Sequence, residues 1–136
     1  MQVKINWRGG QDFLAVDSKG QEISISPKKD ELDKVSPPDL LLISLGSCSG
    51  LFIIPSAKAL GINLEDFKID LRGIKAEKPP KLFDKIIEEV NLIGDFDFSL
   101  ASEIVSGAHA KCFILKSLNP NIEIETVIKV NGEIVK

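Results

Sequence analysis

Ser36-Pro37-Pro38-Asp39-Leu40-Leu41-Leu42-Ile43-Ser44-Leu45-Gly46-Ser47-Cys48-Ser49-Gly50 is the stretch on which the reading of this chain turns. Ser36 suits an N-cap, and Pro37 falls at the first helical position, where its missing N–H is not needed. Asp39, at the third, completes a capping box. The helix so opened is predicted to run from Pro37 to about Leu60, with Gly61 as its left-handed terminator. Pro55 lies inside it, and its missing N–H predicts a kink or a split near Leu51. From Leu40 to Ile54 no residue is charged and every side is apolar or small, the pattern of a helix buried all round. A domain of this size usually buries such a helix only with a second subunit, so an obligate dimer with this helix inside it is expected. The run is about 15 residues, against roughly 20 for a bilayer span, and so reads as a core helix rather than a membrane one.

Upstream, Val3, Ile5 and Trp7 alternate with Lys4 and Asn6, the period of a half-buried strand. Gly9-Gly10 turns the chain into Phe13–Val16. Ser18-Lys19-Gly20 turns it again into a strand with Ile23 and Ile25 on one face. Pro27 to Lys34 is charged and loop-like. Downstream, Leu64 to Lys75 alternates, Pro79-Pro80 marks a loop, and Phe83 to Ile93 forms a second long strand. Ser99 or Ser102 is expected to cap a second helix that ends near Leu118, ahead of Asn119-Pro120. Ile122, Ile124, Thr126, Ile128 and Val130 make a last strand, and Asn131-Gly132 a turn. The order βββ-α-ββ-α-β is an α+β class with a mainly antiparallel sheet.

The 136 residues suit a single domain, 1–136, with a substantial core. Hydrophobic residues make up 43% and charged residues 27%, a globular balance that argues against disorder. A net charge of −3 offers no basic field for nucleic acid. The N-terminal MQVKINW has no apolar signal region, so the cytoplasm is the expected compartment. The two cysteines, Cys48 and Cys112, would stay reduced there unless their chemistry is redox. They do not form a zinc set, and no cofactor or metal is expected.

Cys48 is flanked by Gly46, Ser47, Ser49 and Gly50, which permit close helix contact and leave space beside the sulfur. From composition alone it reads first as a small core residue, and otherwise as a reactive thiol. Cys112 lies on the second predicted helix, so only tertiary folding could join the two. His109, three residues before Cys112, is either an idle helix histidine or a cation that lowers the thiol's pKa. Arg8 and Arg72 are the only arginines, and one placed near Cys48 would stabilise a thiolate. Trp7 reads as core, Asp39 as a helix cap, and Lys28-Lys29-Asp30-Glu31 as solvated surface.

The Ser36–Gly50 stretch resembles the first-cysteine helix of the OsmC/Ohr family. Ala110-Lys111-Cys112-Phe113-Ile114-Leu115-Lys116-Ser117-Leu118 resembles the segment of its second cysteine, and Asn6-Trp7-Arg8-Gly9-Gly10 before Phe13 its first hairpin. The resemblance covers nearly the whole chain. It implies the OsmC-like fold, with sheets wrapped around long central helices in an intertwined homodimer and the two cysteines of each site at the subunit interface. It also implies a thiol peroxidase acting on organic hydroperoxides. Cys48 would attack the O–O bond, Cys112 would resolve the sulfenate as a disulfide, and a dithiol reductant would restore the pair. Arg8 and Asp39 would polarise the site. The chain departs from the peroxidase branches in having Pro38 where they carry a glutamate and Phe113 where a proline often follows the second cysteine; its nearest carboxylate is Asp39. The less characterised branch is the closer likeness. The alternatives are a non-enzymatic protein that binds a small ligand in the interface pocket, and a redox sensor whose disulfide forms without rapid cycling. The apolar Leu51, Phe52 and Phe113 point to bulky hydroperoxides over hydrogen peroxide.

Overall fold

The first three alternating stretches form an antiparallel meander, β1 (Lys4–Trp7), β2 (Phe13–Val16) and β3 (Glu22–Ile25), in that order. Asp17 closes the second turn, its carboxylate accepting the N–H groups of Lys19 and Gln21 at 2.8 and 2.9 Å. Lys34 bridges Asp12 at 3.1 Å and Glu31 at 2.9 Å and so ties the charged loop back to the first hairpin. These elements belong to the first of two compact units, Met1–Ile43; the second begins at Ser44. The structure, a computed structural model, describes residues 1–134.

Helix α1 spans Pro37–Ala59. The Ser36 hydroxyl accepts the Asp39 N–H at 3.2 Å and its carbonyl accepts that of Leu40 at 3.0 Å, as an N-cap should. Gly61, with φ of +69°, follows the last turn. The split expected at Pro55 does not occur: α1 is continuous. Pro55 forfeits one backbone bond, but Ile53, Ser56 and Ala57 around it are buried, and that packing holds the turn. By length and composition alone α1 would suffice to cross a membrane. Instead its middle rests on a strand. A Cβ on Gly46 would lie 2.4 Å from Leu71 Cδ1, and one on Gly50 3.4 Å from the Phe67 ring, so the small residues allow a close approach. Nor is α1 covered all round in the single chain. Leu45, Gly46, Ser49 and Ile53 are buried, whereas Ile43, Leu51 and Ile54 stand exposed.

The long strands β4 (Leu64–Lys75) and β5 (Phe83–Gly94) pair antiparallel around the Pro79-Pro80 loop. The chain then crosses through α2 (Phe98–Lys111) and α3 (Phe113–Ser117) to β6 (Glu123–Val130), which lies parallel to β5. A short β7 (Glu133–Ile134) returns antiparallel, giving the order β4-β5-β6-β7. Asn131 clamps this last turn to the end of β5, its amide bonding the Gly94 N–H and carbonyl at 3.0 and 2.9 Å. The core joins Ile53 and Ala57 of α1 to Val90 and Leu92 of β5 and to Ala101, Ile104, Val105 and Ala108 of α2.

Three details differ from the sequence reading. The cap of α2 is Asp97, which accepts the Leu100 N–H at 3.0 Å, rather than Ser99 or Ser102; a carboxylate already stands one residue before the first apolar position. The second helix does not run to Leu118 but breaks at Cys112. The turn at Asn131-Gly132 leads into a further strand, so the order is βββ-α-ββ-αα-ββ.

Candidate thiol site

The break at Cys112 builds the site. Cys112 has φ −68° and ψ 106°, an extended residue between two helices. Its N–H bonds back to the His109 carbonyl at 3.3 Å and closes α2. Its sulfur accepts the Leu115 N–H at 3.4 Å and opens α3, so the thiol acts as a helix cap. Neither glycine nor proline marks the place, which is why a single helix was expected. The side chain is fully buried.

Cys48, midway along α1 and half-buried, meets this junction. Burial pushes its thiol up, but the Ile114 N–H, the Cys112 side chain and the Phe113 N–H all favour the thiolate, and the net direction is below the ordinary cysteine value. For Cys112 the balance is reversed. Burial pushes it up, and the neighbouring Cys48 adds to this against the lowering effect of the Leu115 N–H and the Ser49 hydroxyl. The fold therefore brings together two sulfurs whose acidities are pushed in opposite directions, the Cys48 pKa down and the Cys112 pKa up.

The other expected residues fall elsewhere. Arg8 follows β1 and is exposed, its N–H bonding the Asp12 carbonyl at 2.8 Å. Asp39 is exposed in the first turn of α1. Both belong to the first unit, and the groups acting on Cys48 come from the α2–α3 junction of the second. His109 is engaged elsewhere than its neighbouring thiol's side chain: its Nε2 donates to Glu88 Oε2 at 2.6 Å. Glu88, only 2% exposed, was not singled out from the sequence. Its signal was there, since it falls in phase with Ile86, Val90 and Leu92 on the buried face of β5. The Phe113 and Ile114 N–H donors carry no such signal. Among the described residues no cluster of His, Cys, Asp or Glu could hold a metal ion.

Comparison with known proteins agrees with this architecture. The chain is 26% identical to the uncharacterized protein YmaD of Bacillus subtilis, the match covering 96% of this chain and 95% of that one. A crystal structure of a hypothetical protein from Aquifex aeolicus superposes with a TM-score of 0.79 at 28% identity, over 96% of each chain. A Legionella pneumophila protein described as an organic hydroperoxide resistance protein OsmC does so with a TM-score of 0.79 at 19% identity, over 95% of this chain and 96% of that one. The OsmC-like protein family itself matches residues 28–127, and the chain is a member of that family.

Proposed function

We propose that this chain is a homodimeric thiol peroxidase that reduces organic hydroperoxides in the cytoplasm, acting as one OsmC-like domain over residues 1–136. The observation that carries the proposal is the paired sulfurs of opposite protonation tendency. The hydroperoxide resistance described for the Legionella relative lends support.

In the proposed cycle the Cys48 thiolate attacks the terminal oxygen of the hydroperoxide. The O–O bond breaks, the alkoxide takes up a proton and leaves as alcohol, and Cys48 becomes a sulfenic acid. The Cys112 sulfur then attacks the Cys48 sulfur. A disulfide forms, and the sulfenate oxygen leaves as water with the proton from Cys112. A dithiol reductant supplies two electrons and restores both thiols. Arg8 and Asp39 are assigned the polarising role, supplied in the assembled dimer. The dimer is supported by Leu51, Ile54 and Ile43 on α1 and by Phe113, apolar side chains exposed in the single chain. Leu51 and Phe113, with half-buried Phe52, would also favour a bulky hydroperoxide over hydrogen peroxide.

Intact mass after one equivalent of cumene hydroperoxide tests the reading. Loss of two hydrogens in the parent, and a trappable sulfenic acid in Cys112→Ser, are expected. An unchanged mass would overturn it. Disulfide formation without turnover on a dithiol would replace it with the sensing reading.

A further inference from the structure

We infer that Glu88 and His109 form a positioning pair that fixes where α2 ends at Cys112, and so sets the geometry of the two-cysteine site. Glu88 lies on β5 opposite Leu71 of β4 and Thr126 of β6, on the face that carries Ile86, Val90 and Leu92. Its Oε2 takes the His109 Nε2 at 2.6 Å, a short bond from the sheet to the last turn of α2. The same His109 accepts the Cys112 N–H through its carbonyl at 3.3 Å. One residue thus holds the strand with its ring and the break with its backbone.

The choice of a carboxylate here is costly. Among the described residues Glu88 Oε1 is buried without a hydrogen-bond partner, and an orphaned buried oxygen destabilises the fold. A leucine would fill the same face as its neighbours do. What an apolar residue cannot do is oppose sliding. A slip of one residue in the last turn of α2 would move Cys112 by about 1.5 Å and rotate it about 100°. That would part its sulfur from Cys48 and withdraw the Phe113 and Ile114 N–H groups. Packing of Ile104, Val105 and Ala108 against the core resists such a slip by shape alone. A directional bond at 2.6 Å resists it strongly.

The consequence for the disulfide step rests on the peroxidase reading, but the geometry is tested without peroxide. Two rates are measured: iodoacetamide alkylation of Cys48 at pH 7, and closure of the Cys48–Cys112 disulfide by diamide, with melting temperature recorded alongside. Glu88→Leu and His109→Ala are expected to slow both rates by about three- to tenfold, as withdrawal of the Phe113 and Ile114 N–H groups raises the Cys48 thiol. Glu88→Gln, whose side-chain carbonyl accepts the same Nε2–H, is expected within about twofold of the parent. Parent-like rates in the folded Leu and Ala variants, whatever their melting temperatures, would overturn the inference and leave the pair as packing. A Gln variant as slow as the Leu variant would overturn it too. Should either single variant not fold, the double variant Glu88→Leu/His109→Leu decides, since it leaves no buried carboxylate stripped of its partner. A parent that closes with diamide but ignores hydroperoxide would defeat the peroxidase reading without touching this one.

Discussion

Replacing Cys112 separates its two duties, cap and partner. In Cys112→Ala a fully buried sulfur is lost, worth roughly 1 kcal/mol of apolar burial. The Leu115 N–H loses its acceptor at 3.4 Å, and because sulfur is a weak acceptor the low end of the capping range, about 0.5 kcal/mol, applies. The sum, about 1.5 kcal/mol, lowers the melting temperature by about 5–9 °C in a chain of this length. Cys112→Ser keeps an oxygen that caps α3 better than sulfur does, so its loss is confined to about 1 kcal/mol. The two variants also differ at Cys48. Alanine removes a group that favours its thiolate, whereas serine retains a donor. The sign is then fixed. In the parent, Cys48 alkylation rises with pH about a midpoint below that of an ordinary cysteine, since its folded value is lowered. Cys112→Ala moves that midpoint up, and Cys112→Ser moves it less. Peptide-resolved alkylation against pH, with thermal melts, reads both effects. Identical Cys48 midpoints in the parent and Cys112→Ala would refute the claim that the second thiol biases the first.

Asp97→Ala removes the cap of α2 and is expected to cost about 1 kcal/mol, read as a fall in melting temperature of about 3–6 °C; an unchanged value would mean the Leu100 N–H finds another acceptor. Gly46→Ala places a methyl group 2.4 Å from Leu71 Cδ1, so Leu71→Ala is expected to cost less stability on the Gly46→Ala background than on the parent, by about 1 kcal/mol in a double-mutant cycle. Additive losses would show that Leu71 simply turns away. Leu51→Glu puts a charge on the exposed face of α1 and is expected to convert the proposed dimer to a monomer by light scattering, with the Cys48 alkylation profile retained; a dimer that persists would place the interface elsewhere.

Most of the architecture was legible because it rests on periods and punctuation that act locally. Phe67 to Leu71 alternates, and Ser36, Pro37 and Gly61 bound α1 by the chemistry of unpaired backbone groups; the structure honours each. The failures have one cause in common. Pro55, Cys112 and Glu88 are governed by contacts distant in sequence. Pro55 does not break α1 because Ile53 and Ala57 are pinned by a strand and a helix that follow later. Cys112 does break a helix, though nothing local demands it, because its sulfur serves as a cap and faces Cys48. Glu88 looks like the charged member of an alternating strand, yet it falls on the buried face, where only His109 makes it tolerable. Of the candidate site, then, the two thiols were singled out by the family resemblance of the segments around them, while the residues alone left Cys48 open between core and reactive thiol. Their unequal acidity was not legible, since backbone N–H groups create much of it, and every residue but proline carries one. Residues that break a local rule are where folding has been overridden by tertiary contact, and in this chain the break at Cys112 and the buried charge at Glu88 converge on the same turn of α2. That convergence, more than the presence of two cysteines, is what makes the α2–α3 junction the place to test the proposed thiol chemistry.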